Sequence, residues 1–206
     1  MGINYQKVLD DTISKINGTK PRLLLHACCA PCSSYVLEYL SQYFAITLYF
    51  YNPNIYPLSE FDFRADELKR LVKEMNLDIK IVVAEYDNEN FENIVKGYED
   101  FPEGSVRCFK CYRLRLENAI KYAKENKFDF VTTTLSISPH KNAEKLNEIG
   151  GELAGEYGVE YLFSDFKKKN GYKRSCELSQ IFNLYRQNYC GCKYSKIYAE
   201  NNNKEM

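Results

Sequence analysis

Arg22-Leu23-Leu24-Leu25-His26-Ala27-Cys28-Cys29-Ala30-Pro31-Cys32-Ser33 is a short apolar run that ends directly on three cysteines; helical spacing follows from Ser34 to Tyr43 through Tyr35, Val36, Leu37, Tyr39 and Leu40. Strand, loop and helix in that order open an α/β fold. Open sheets of this kind bind ligands beyond the carboxyl ends of their strands, where nucleotide-binding members carry a glycine-rich phosphate loop. Here the loop has no glycine, so its backbone is poorly suited to approach a pyrophosphate. Thiols stand where phosphate contacts would be.

Outward from this stretch the alternation continues. Strands are expected at Ala45 to Tyr51, Ile79 to Val83, Phe130 to Thr134 and Val159 to Phe163. Helices are expected at Phe61 to Met75 behind a Ser59 cap, and at Phe91 to Tyr98, Cys111 to Lys124, Asn142 to Tyr157 and Leu178 to Tyr185. Strands separated by helices predict a parallel sheet covered on both faces. At 206 residues the chain is expected to form one domain, with only the polar tail Asn201 to Met206 disordered. No stretch approaches the roughly 20 apolar residues of a membrane span, and the first residues carry no apolar leader, so the cytoplasm is the expected location and no membrane partner is expected.

Seven of the eight cysteines fall into three groups: Cys28, Cys29 and Cys32; Cys108 and Cys111; Cys190 and Cys192. Thiolates repel and oxidise, so crowding them implies metal or disulfide bonding. Adjacent cysteines on one tetrahedral ion would close a strained small ring, whereas neighbouring irons of a cluster offer separate sites. Cys28 and Cys29, joined by Cys108 and Cys111 at a helix start, make the four ligands an iron-sulfur cluster usually takes. Cys32, Cys190 and Cys192 then suit either a second, open metal or a redox pair. A structural zinc site uses the same spacing, but four ligands explain neither the adjacent pair nor the surplus three. Cys176 stands alone and reads as a small buried apolar residue.

Six ordered motifs between Leu23 and Ser195 carry a family resemblance. They are Leu24 to Ser33, Tyr51-Asn52-Pro53-Asn54-Ile55, Arg107 to Leu116, Thr132 to Lys141, Asp165 to Tyr172 and Leu184 to Ser195. On these residues the chain resembles the epoxyqueuosine reductases of the QueH type. The resemblance implies a three-layer Rossmann-like α/β fold of the adenine nucleotide alpha-hydrolase (HUP-like) kind, its parallel sheet flanked by helices on both faces and followed by a C-terminal helical segment. It implies cobalamin-independent, two-electron reduction of epoxyqueuosine to queuosine at the wobble position of tRNA. A 4Fe-4S cluster is carried onto Cys28, Cys29, Cys108 and Cys111, and a redox-active pair, able to close a disulfide, onto Cys190 and Cys192. Cys32 is a further metal-ligand candidate, beside a possible second mononuclear iron. Epoxyqueuosine-bearing tRNA and an electron donor protein or reductant are the implied partners. Two other classes share some of these features: a PP-loop tRNA sulfur-transfer enzyme, which the glycine-free loop opposes, and a zinc-stabilised RNA-binding module without turnover.

Charge and polar residues refine the substrate side. Net charge is zero, yet Ser164 to Tyr198 holds eight Lys and Arg against Asp165 and Glu177, with Tyr172, Tyr185, Tyr189, Tyr194 and Tyr198 interleaved. Cations with stacking rings suit a phosphodiester chain with splayed bases; a solvated surface with half-buried tyrosines explains the same composition. Arg186, four residues before the Cys-Gly-Cys turn, is the phosphate candidate among Arg107, Arg113, Arg115 and Arg186, arginines that otherwise read as solvated helix surface. Asn52 and Asn54 are base-edge candidates or simply a turn. His26 is a proton donor or a strand-end histidine satisfied by backbone, Asp165 a proton donor, iron ligand or helix cap, and His140 a loop residue.

Overall fold

Leu23, Leu24 and Leu25 have no exposed surface, because their strand β1 (Arg22–His26) is the middle of a five-stranded sheet. A central parallel strand is covered on both faces and must be apolar along its length. Leu23 and Leu25 point into one core with Leu9, Leu37 and Leu68, and Leu24 into the other with Leu116 and Leu153, the period-two alternation of a strand. The structure, a computed structural model, describes residues 2–16 and 18–202.

Strand β2 (Ala45–Phe50) pairs with one edge of β1 and β4 (Phe130–Thr133) with the other; β3 (Lys80–Val83) and β5 (Glu160–Tyr161) complete the order β3-β2-β1-β4-β5. Every pairing is parallel. Helices α1 (Tyr5–Lys15), α2 (Ala30–Leu40) and α3 (Leu58–Glu74) cover one face, with α7 (Gly171–Ile181) packed on α2. The other face carries α5 (Val106–Glu125) and α6 (Ala143–Tyr157), with α4 (Asn88–Val95) beside α5. This is the expected Rossmann-like sheet with helices on both faces, and α8 (Lys193–Asn202) supplies the C-terminal helical segment. No helix among the described residues is long and apolar enough to cross a membrane.

Several boundaries differ from the sequence expectation. Helix α2 starts at Ala30 rather than Ser34 because Pro31 takes a first-turn position, which its fixed φ suits; Cys32 therefore rides on the helix. Helix α3 follows Pro57 with no side-chain cap, so Ser59 lies inside it. Helix α4 begins three residues before Phe91, where the Asp87 side chain accepts from Asn90 N at 3.3 Å. The late helix begins at Gly171 instead of Leu178: a Cβ there would collide with the Phe166 carbonyl oxygen, a close approach only glycine allows. Helix α8 and a 3-10 turn at Thr134–Ile137 have little apolar periodicity to announce them, whereas α1 falls outside the sequence expectation although Tyr5, Val8, Leu9 and Ile13 recur at helical spacing. The tail expected to be disordered from Asn201 is helical backbone at Asn201 and Asn202; residues 203–206 lie outside the described residues.

Helix α6 meets β5 through Gly150, where an added Cβ would run into the Tyr161 ring. Gly150→Ala is expected to destabilise the protein by ~1–3 kcal/mol through overpacking, net of its gain in helix propensity, read as a lowered midpoint in thermal unfolding.

Candidate metal centre

Three strand ends meet under the first cysteine loop. The His26 ring is fully buried: Nε2 donates to Tyr51 O at 3.0 Å, which leaves Nδ1 to accept from the Thr133 hydroxyl at 2.8 Å. Burial, then the Arg115 charge, depress its pKa to about 3. It is a neutral peg joining β1, β2 and β4. Two residues on, Cys28 N donates to Thr134 Oγ1 at 3.2 Å, and between them Ala27 O accepts from Asn52 Nδ2 at 2.9 Å. The loop is held from both neighbouring strands, and the Sγ atoms of Cys28, Cys29 and Cys32 come within 4.8 Å of one another, with 3.8 Å between Cys28 and Cys29. Among the described residues no other three metal-ligating side chains lie so close.

Cys108 and Cys111 occupy the first turns of α5, and Gly104 N donates to Cys108 Sγ at 3.2 Å. Burial pushes the Cys111 thiol up to about 12, with Cys190, Cys192 and Cys108 adding their negative charge against the pull of Arg115. The third cysteine group thus lies beside the second. Its turn is strapped down: Tyr56 N donates to Gly191 O at 3.0 Å, Arg64 Nη1 to Cys190 O at 3.2 Å, and Cys190 N to Ser195 Oγ at 3.0 Å. Gly191 has φ of +117°, and a Cβ there would meet Arg64 Nη1 at 2.9 Å and Ile55 Cγ1 at 3.2 Å. No disulfide joins any of the eight cysteines in the structure. Cys176 is half-buried on α7 and does not line the cavity that opens over Cys28, Cys29, Cys32 and Cys190.

The buried charged side chains of the described residues are all cations: Arg64 at 2 %, Arg107 at 5 %, Arg115 at 2 % and Lys141 at 8 % exposed. All four lie around the thiols. Two have carboxylate partners, Arg64 with Glu60 and Lys141 with Glu103, each at 2.8 Å. Arg107 donates to the carbonyls of Glu99 and Phe101 and stacks on Tyr194 at 5.0 Å; Arg115 Nη2 donates to Asn52 Oδ1. Arg64 Nη2 and Arg115 Nε, both buried, have no partner. Burial opposes the charge of Arg64 and Arg115 most strongly, yet the negative neighbours together outweigh it: Cys29 with Glu60 for Arg64, and Cys111 with Cys28 and Cys190 for Arg115. Conversely Cys29 ionises well below the usual thiol range, because Cys28 and Cys32 donate to its sulfur and Arg64 faces it; Cys28 is pushed up by Cys29, and Cys32 by both Cys28 and Cys29. A positive, largely dry surround is built for a polyanionic centre.

The cavity, of about 540 Å³, is lined by Cys28, Cys29, Cys32 and Cys190 together with Asn52, Asn54, Arg64, Arg115 and Arg186. Asn54 is buried with Oδ1 unpartnered. Arg186 Nη1 donates to Ser179 Oγ at 3.1 Å. Tyr172, Tyr189, Tyr198 and His140 also line the cavity, whereas Tyr185 packs on Phe63 at 4.9 Å and Tyr194 donates to Glu92 at 2.8 Å. His26 does not reach the cavity, and Asp165 lies off it, paired with Lys167 at 3.0 Å. Arg113 is on the surface with Glu152, but Arg107 and Arg115 are buried, unlike the solvated helix arginines expected. Sequence reasoning passed over Arg64, Lys141, Glu103 and Tyr112. Position gives one signal for Arg115, which lies one helical turn after Cys111 and so on its face.

A family model described as epoxyqueuosine reductase QueH matches residues 23–198. Among curated proteins, epoxyqueuosine reductase QueH of Staphylococcus epidermidis is 44 % identical over 203 residues, covering 95 % of this chain and 85 % of that one. The Streptococcus pyogenes protein of the same name is 41 % identical over 94 % of this chain and 78 % of its own, and the Thermotoga maritima protein 34 % over 89 % and 95 %. Among solved structures, the U34-tRNA thiolase NcsA of Methanococcus maripaludis, with its 4Fe-4S cluster, superposes with a TM-score of 0.48 at 13 % identity over 98 % of this chain and 77 % of that one. NMN synthetase of Francisella tularensis gives 0.48 at 11 % over 92 % and 77 %.

Gly191→Ala is expected to release the strap, because it adds strain of about 1–3 kcal/mol at a positive φ and pushes against Arg64. Faster alkylation of Cys190 and Cys192 in the variant, followed by mass spectrometry, is the measurement; unchanged labelling would show the turn seated as before.

Proposed function

The chain belongs to the QueH family of epoxyqueuosine reductases, and from that premise we propose that it reduces epoxyqueuosine to queuosine at the wobble position of tRNA, with an iron-sulfur cluster held by its cysteines. The observation that carries the cofactor reading is the buried charge. Four cations surround the thiols with two carboxylates among them, and neutral thiols would leave Arg107 and Arg115 without compensation. Thiolates on a metal centre supply the missing negative charge, so the residues fit the group. Cys28, Cys29, Cys108 and Cys111 would hold the 4Fe-4S cluster, which when bound supplies electrons one at a time. Cys32, whose Sγ lies within 4.8 Å of those of Cys28 and Cys29, would serve a second, mononuclear iron.

The chain's own residues account for the rest of the chemistry. Removing an epoxide oxygen as water takes two electrons and two protons and leaves an alkene. A Cys190/Cys192 dithiol would deliver both electrons and both protons as it closes to a disulfide, and electrons from an external reductant or donor protein, passed singly by way of the cluster, would reopen it. Lys141 Nζ stands beside Cys190, held protonated against its burial by Cys190 and Glu103; it offers positive charge to the oxygen as the carbon–oxygen bond breaks. On the substrate side, Asn54, whose Oδ1 has no partner, presents its amide to a base edge inside the cavity, while the Asn52 amide is taken up by Arg115 and Ala27 O. Arg186 takes a phosphate, and Tyr172 and Tyr198, exposed at 37 % and 65 %, give bases at the mouth a surface to stack on. His26 and Asp165 have no substrate role in this scheme. A tRNA substrate fits a cytoplasmic enzyme.

Anaerobic purification with iron, sulfide and zinc quantified, followed by turnover of epoxide-bearing tRNA, tests the proposal. Iron and sulfide are expected, and Cys29→Ala is expected to abolish turnover; activity retained in that variant, or zinc without turnover, overturns it. Arg186→Ala is expected to weaken tRNA binding irrespective of sequence and to lower the slope of log K against log salt by about 1, measured by equilibrium binding across a salt series.

A further inference from the structure

Arg115 is the buried cation with the least of its own to hold it. Arg64 and Lys141 each have a carboxylate at 2.8 Å, and Arg107 has two backbone carbonyls and a tyrosine ring. Arg115 has no carboxylate: the amide oxygen of Asn52 accepts from it, the Cys111 thiol stands beside it, and Nε is buried and unpartnered. The bond to Asn52 is informative. The Asn52 amide passes it on, donating from Nδ2 to Ala27 O at 2.9 Å, so Arg115 ties α5, one turn past Cys111, to the backbone immediately before Cys28. A guanidinium so placed sits between the first and second cysteine groups and lines the cavity with Cys28, Cys29 and Cys190. Burying a charge without a partner is costly, and replacing it by an apolar residue of like volume is often neutral or stabilising. Its presence calls for an anion; no carboxylate provides one, and the thiols of Cys111, Cys28 and Cys190 do so only when ionised.

We propose that Arg115 is a positioning residue of the metal centre: its charge is met by the negatively charged thiolate centre bound to Cys28 and Cys111, and its link to Asn52 sets the Cys28 loop against α5. The inference rests on the iron-sulfur reading of the site. It makes Arg115 part of what retains the metal rather than part of the general core. A purely structural arginine would stabilise the metal-free and loaded proteins alike; a counter-charge matters only when the anion is there.

The test compares wild type, Arg115→Lys and Arg115→Met, reconstituted anaerobically with iron and sulfide. Iron retention against graded chelator and thermal unfolding of metal-free and loaded forms are measured. The Met variant is expected to hold iron about ten-fold or more less tightly, as loss of an outer partner of a metal ligand typically does, and to gain less thermal stability on loading than wild type. The Lys variant, which keeps the charge, is expected to stay within a few-fold of wild type. Wild-type iron affinity in the Met variant, or an equal stability loss in both forms, overturns the inference alone. Wild type that takes up no iron overturns the proposed centre and this inference with it. Should the Met variant not fold, the Lys variant decides: affinity close to wild type supports the charge role, and a loss of ten-fold or more overturns it.

Discussion

Charge balance at the carboxyl end of the sheet is the constraint on which the rest of the structure turns. Four buried cations face seven clustered cysteines, and only Glu60 and Glu103, both partly exposed, answer them as carboxylates. In a low-dielectric interior such an excess persists only if anions complete it, and the chain offers thiols for that purpose. The fold can be understood as the scaffold that brings three distant thiol groups to one rim. Parallel strands β1, β2 and β4 end side by side, and they lead in turn into the Cys28 loop, the Asn52–Ile55 turn and the 3-10 turn at Thr134–Ile137.

Rigidity at that rim comes from neutral groups. His26 spans two neighbouring strands with both ring nitrogens engaged, Thr133 and Thr134 anchor the loop from one side, and Asn52 anchors it from the other. A charged histidine in that position would add to an already cationic surround. The Arg115 charge is one reason its imidazole stays neutral, so the peg and the charge pattern depend on each other.

Much of this was legible in the residues. The Leu23–Leu25 run announced a central strand, the order of strands and helices announced a parallel sheet, and six motifs announced the family. The late helix was misplaced because its start is decided by the close approach of Gly171 to Phe166, a tertiary contact that periodicity does not carry. The buried cations were missed for a related reason. Arg and Lys are ordinarily surface residues, and nothing local in Arg64 or Lys141 distinguishes a guanidinium or ammonium facing thiols from one facing water. Asp165 drew attention by ending a predicted strand, yet its partner is Lys167, two residues away.

The strap that closes the centre joins parts of the chain far apart in sequence: Arg64 holds Cys190 and Tyr56 holds Gly191. During synthesis the first five cysteines leave the ribosome well before Cys190 and Cys192 exist to cover them. The cover over the early thiols can therefore close only after the late segment has folded against Arg64 and Tyr56.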